Sequence, residues 1–99
     1  MVTKDEARRY LNDCAPEHSF WVNNGQILKN LDDLSSILLE LNDDIFQHHV
    51  NHDKNDFSNW VRDIVGDKKL ANGIISSKNK ESMAKKVMAR VSALKKKAS

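Results

Sequence analysis

The side chains with most chemistry in this 99-residue chain lie close together: positions 47–60 read QHHVNHDKNDFSNW, with three histidines, two aspartates, asparagines and two aromatics. If a helix runs through 44–52, His48 and His52 stand four apart on one face. Zinc ligands use that spacing, and His49 lies between the two while Asp53 or Asp56 could add a carboxylate. Three features count against a metal centre at His48, His49 and His52. No glutamate follows in the HExxH manner, no second cysteine or evident fourth ligand exists, and the run from Asn51 through DKND has the composition of a helix end. The joint between two helices is the better reading. In it His49 packs beside Phe46 and Val50, and His48 and His52 face water or bond to carbonyls at a helix end. Asn55 and Asp56 accept bonds from the first turn of the following helix. The metal site is carried as a secondary alternative, and no cofactor is expected.

Nucleophilic chemistry has less support. Cys14 falls on an apolar helical stripe, where a cysteine behaves as a small hydrophobe. Ser19, Ser35 and Ser58 lack the flanking glycines of a nucleophile elbow. The carboxylate pairs Asp32-Asp33 and Asp43-Asp44 stand at helix starts, where the dipole explains them. Three glycines are too few for the usual phosphate-cradling loops. The expectation is a protein that is not an enzyme.

The elements that must position these residues follow from the apolar spacing. Thr3 and Glu6 form a capping-box pattern ahead of Ala7, Tyr10, Leu11 and Cys14, which predicts a helix over about 3–14 stopped by Pro16. Two β-prone runs, 20–22 and 26–28, flank Asn23-Asn24-Gly25 and predict a small hairpin lying on the helices. Asn30 caps a helix over 31–41, and a short helix carries Ile45, Phe46, His49 and Val50. Asn55 caps another with Phe57, Trp60, Val61, Ile64 and Val65 on its apolar face, so Trp60 reads as a core anchor rather than half of a ligand-stacking pair with Trp21. Gly66 suits a left-handed stop, and Asp67 caps a short segment with Leu70, Ala71, Ile74 and Ile75. A last helix over about 79–96 precedes a tail expected to fray. The fold class is therefore mostly α: one domain, 1–99, built as a compact bundle of five to six short helices with one small β-hairpin near residues 20–28.

Composition bounds the rest. Hydrophobic content of 39% and charged content of 30% suit a globular domain with a core of its own. The lone Cys14 cannot form an internal disulfide, as is usual in the cytoplasm, which is the expected compartment. The opening MVTKDEARRY has no apolar run behind a basic start, so no secretory leader is expected. The longest apolar runs, FWV and ILL, fall far short of the ~20 residues that span a bilayer, so no membrane partner is expected. The net charge of +2 hides a dipole: residues 1–66 hold 12 acidic and 6 basic side chains, residues 67–99 hold 2 and 10. On the last helix, Lys86, Arg90 and Lys97 fall within about 40° of one another at 100° per residue, with Lys85 and Lys96 forming a second strip. Those residues, together with Lys95, could touch phosphates without reading sequence.

Residues 20–71 also carry a pattern: Phe20, Gly25, a Leu-rich stretch 31–41, Phe46 with His49-Val50, Asn55-Asp56-Phe57, Trp60, Gly66-Asp67 and Leu70-Ala71. In this the chain resembles a small prokaryotic, mainly archaeal, domain family of unknown function. The resemblance covers about half the chain and implies a compact, mostly helical unit. It brings no functional residues. The functional expectation is a small binding module that contacts another protein, or a second copy of itself, through Trp21, Val22 and Ile27. The alternative is sequence-independent nucleic-acid binding by Lys85, Lys86, Arg90, Lys95, Lys96 and Lys97.

Overall fold

The computed structural model describes residues 2–99. Six α-helices and one two-stranded hairpin follow one another as α1 (Lys4–Leu11), β1 (Phe20–Trp21), β2 (Ile27–Leu28), α2 (Leu31–Leu38), α3 (Asp43–His49), α4 (Asp56–Trp60), α5 (Lys68–Ile74) and α6 (Lys80–Ala98). A short 3-10 turn, Pro16–His18, precedes the hairpin, and α4 runs into a widened π-helical turn over Val61–Val65. The mostly α architecture with a single antiparallel hairpin is the one expected from the apolar spacing.

Side-chain caps start every α-helix. Thr3 and Glu6 form the reciprocal capping box of α1. Asn30, Asn42, Asn55, Asp67 and Asn79 accept the N–H three residues on at the starts of α2, α3, α4, α5 and α6. Each satisfies one of the orphan donors that a helix start leaves, a contribution of about 1 kcal/mol per cap. Caps matter here because five of the six helices have eight residues or fewer, too short to hold together without packing.

α6 is the spine. Its buried face of Met83, Ala84, Val87, Val91 and Leu94 lies against α1, α2 and α5. Phe20, Phe46, Phe57 and Trp60 form an aromatic cluster joining the hairpin to α3 and α4; Phe20 and Phe57 stack at 4.8 Å. Trp60 is buried, and its indole N–H donates to the His18 carbonyl at 2.9 Å, the partner a core tryptophan requires.

Several boundaries differ from the sequence reading, each because a tertiary contact overrides local preference. α1 ends at Leu11, not 14: Asn12 is extended, and the Cys14 N–H donates to the Lys29 carbonyl, so Cys14 is partly buried beside the hairpin rather than on a helical stripe. α2 stops at Leu38; Leu41 remains buried in the following turn, and its carbonyl accepts from Lys80. The C-terminal tail, expected to be irregular, is helical. α6 continues to Ala98, whose carbonyl accepts from Arg8 at 3.3 Å. The expected apolar face over 57–65 divides at Val61, after which Gly66 N–H reaches the Val61 carbonyl and ends the turn with φ of 88°. Only at such a positive φ is glycine needed, and Gly66 meets that need.

The widened turn delivers Asp67 into the core. Asp67 is 1% exposed, and Arg90 of α6 grips it bidentately at 2.7 and 2.9 Å while its Oδ1 also accepts from the Leu70 N–H. The hydrogen bonds that Arg90 donates to Asp67 raise the guanidinium's pKa despite its partial burial. Removing one partner leaves the other buried and unpaired. Arg90→Met is therefore expected to cost about 3–5 kcal/mol in urea denaturation. Adding Asp67→Asn should return part of that loss, since asparagine still caps α5 but carries no charge.

Candidate functional site

Alternation along the hairpin sorts its side chains. Phe20 and Leu28 pair across the ladder and point inward; Trp21 and Ile27 pair and point outward. Trp21 is 67% exposed and Ile27 45%, while Val22 is 3% exposed. The expectation that Val22 belongs to an outer surface is thus corrected: it lies on the Phe20 side of the pleat and helps to fix the hairpin to the core. Beside Ile27 a groove of about 180 Å³ runs to Asp33, Ser36 and Glu40 of α2 and its end, placing two carboxylates on the Ile27 side of the apolar pair.

The hairpin is held in place by His49. Its Nε2 accepts the Asn23 N–H at 3.0 Å, which puts the ring proton on Nδ1, and Nδ1 donates to Asp56 Oδ2 at 3.0 Å. The imidazole also meets Phe20 edge-on at 5.1 Å and tilts against Phe57 at 5.4 Å. His49 therefore bolts the turn of the hairpin to the start of α4, with both ring nitrogens engaged and 5% of the residue exposed. Lys54 completes the chain with a 2.8 Å bond to the same Asp56 oxygen. Burial pushes the Asp56 carboxyl up, but the hydrogen bonds from Lys54 and His49 outweigh it and hold the group below its ordinary value of 3.8.

Between α3 and α4 the chain makes a tight turn, closed by Asn51 N–H to the Lys54 carbonyl and by a Val50–Asn55 bridge. Asn55 caps α4 through its oxygen and donates through its nitrogen to the Ile74 carbonyl at the end of α5, while Ser58 donates to Ala71. The helix ends at His49, so the four-residue spacing of His48 and His52 is not realised on one face; both are exposed. Among the described residues no three histidine, cysteine, aspartate or glutamate side chains converge as metal ligands. A cleft of about 410 Å³ beside the turn is walled by Asn51, His52, Lys54, Asn59, Ser77 and Lys78. Ser77 Oγ is the one buried side-chain polar atom among the described residues without a partner.

The basic strip on α6 is partly spent internally. Arg90 is locked to Asp67, Lys86 donates to the Gly73 carbonyl at 2.9 Å, and Lys95 pairs with Asp32 at 3.0 Å. Lys85, Lys96 and Lys97 stay exposed on α6 and form no ion pair among the described residues. The cations that the structure does bring together are Arg9, Lys68, Lys69 and Lys97, around a groove between α1, the start of α5 and the end of α6. A helical wheel of α6 alone cannot show this, because three of the four come from other elements. A scan against family models and searches of curated proteins and of solved structures each find no match.

Two outcomes follow from the His49 geometry. His49→Phe keeps the ring but strands the Asn23 N–H and frees Asp56; a loss of about 1–3 kcal/mol and faster amide exchange at Asn23 are expected. For Asp56, a folded-state pKa below the unfolded one means stability present above about pH 3.8 and lost as pH falls through the folded value. In acid titration of thermal stability, Asp56→Asn should trail the wild type at pH 6, and the gap should close only as pH falls below 3.8 and through the folded-state value.

Proposed function

We propose that the chain is a small, non-enzymatic interaction module of the cytoplasm, and that it binds another protein through the outer face of the hairpin, Trp21 with Ile27. The observation that carries this reading is an exposed tryptophan and isoleucine side by side on one pleat face of a clamped ribbon. A lone exposed apolar residue needs no explanation, but a cross-strand pair on a rigid mount is how binding surfaces present an anchor. The carboxylates of Asp33 and Glu40 beside Ile27 suit a partner with an apolar pocket bordered by lysine or arginine. Among the described residues no helix is long and apolar enough to cross a membrane. The resemblance of residues 20–71 to a domain of unknown function agrees with a structural motif: Phe46, Asn55, Phe57 and Asp67 all work in the core and its caps.

Trp21→Ser tests the reading, since an exposed side chain can be removed with little effect on the fold. Wild type and variant are expected to melt within about 2 °C of each other. Partners retained quantitatively by the wild type should be lost by the variant, and the Trp21 emission should shift to the blue when such a partner is added. Equal capture by the two proteins, or unchanged emission in the complex, overturns it.

A further inference from the structure

We infer that the groove between α1, α5 and α6 is a second binding surface, independent of the hairpin, that takes the sugar-phosphate backbone of a single-stranded nucleic acid. The groove encloses about 760 Å³, space for more than one nucleotide, and Arg9, Lys68, Lys69 and Lys97 stand around it. Each of the four is exposed. Among the described residues the ion pairs engage Lys54, Arg62, Lys80, Arg90 and Lys95 with His49, and none involves the four groove cations. The two carboxylates in the groove offset only part of this charge, since five cations and two carboxylates line it. Asp67 is committed to Arg90, and Glu6, which accepts from the Thr3 N–H at 3.0 Å and from the Tyr10 hydroxyl, interacts electrostatically with Arg9 alone among the four. Arg9 lies over the Tyr10 ring with its guanidinium carbon 5.4 Å from the ring centre, which presents a flat, weakly hydrated cation on an aromatic face.

Shape decides among polyanions. A membrane is flat and asks for apolar anchors beside the cations, but Trp21, Ile27, Leu39, Ile75 and Met88, the large exposed apolar residues, are absent from the groove. The concave form, with cations contributed by α1, α5 and α6 and the half-buried Tyr10 among them, suits a flexible strand that lays phosphates against the cations and a base or sugar against the tyrosine. Nothing in the lining offers a paired donor-acceptor set for base edges, so binding is led by phosphate and indifferent to sequence.

The test is fluorescence anisotropy of labelled dT12 and rU12 with the full chain. Four phosphate contacts on a single strand give a salt slope near 0.7 per contact, so affinity should fall about 50-fold between about 50 and 200 mM salt. Arg9→Glu with Lys69→Glu should abolish binding, and Lys68→Glu with Lys97→Glu should do the same from the other residues. Lys85→Glu, on α6 but outside the groove, should leave it within about twofold, as should Trp21→Ser. Thermal melts establish that each variant folds. Absence of binding at 50 mM salt, equal weakening by Lys85→Glu, or polyglutamate or phosphatidylserine vesicles binding as tightly as the oligonucleotides overturns the inference.

Discussion

A polar side chain taken out of water must find its partners inside, and in a chain this small they have to come from another element. That constraint organises the molecule. Asp67 draws Arg90 across from α6, Asn55 ties the start of α4 to the end of α5, Ser58 reaches Ala71, Trp60 reaches His18, and His49 joins the hairpin turn to Asp56. Each bond contributes only about 1 kcal/mol net when neutral, but leaving a partner stranded costs more, so each selects one arrangement of short helices over its neighbours. Apolar burial alone would let helices of seven or eight residues slide. The polar links fix their register.

The same constraint governs the histidine-rich stretch. A ligand must offer a lone pair to an ion, and both nitrogens of His49 are already in use, one accepting from Asn23 and one donating to Asp56. Asp56 in turn is shared with Lys54. What remains, His48 and His52, is separated by a helix end and a tight turn. The stretch looks dense in chemistry because it packs a helix stop, a turn and a cap into few residues, all of which call for polar side chains.

How much of this could be read in advance depends on range. Caps were legible, because Thr3 with Glu6, Asn30, Asn55 and Asp67 act within three residues of themselves. The hairpin was legible from Asn-Gly and from β-prone runs, though not which of Trp21 and Val22 faces outward, since a two-residue strand leaves the phase of the alternation to the core. The early stop of α1 and the intact end of α6 were not legible. They rest on Lys29 and Arg8, distant partners for Cys14 and Ala98. The widened turn over Val61–Val65 likewise answers to the need to bring Asp67 under Arg90, a demand that appears only once α6 is in place.

Charge shows the limit most clearly. On the sequence, the basic C-terminal third reads as one cationic helix against an acidic body. In the fold, that helix gives up Arg90 and Lys95 to carboxylates and Lys86 to a carbonyl, and the cations left over assemble elsewhere with Arg9 from the acidic half. A surface field depends on which charges are unspent, not on how many a segment contains. The hairpin face and the groove then differ in kind: one offers apolar area with two carboxylates to one side, the other unpaired cations around a tyrosine. Because they draw on different residues and different forces, a substitution that alters one leaves the chemistry of the other in place.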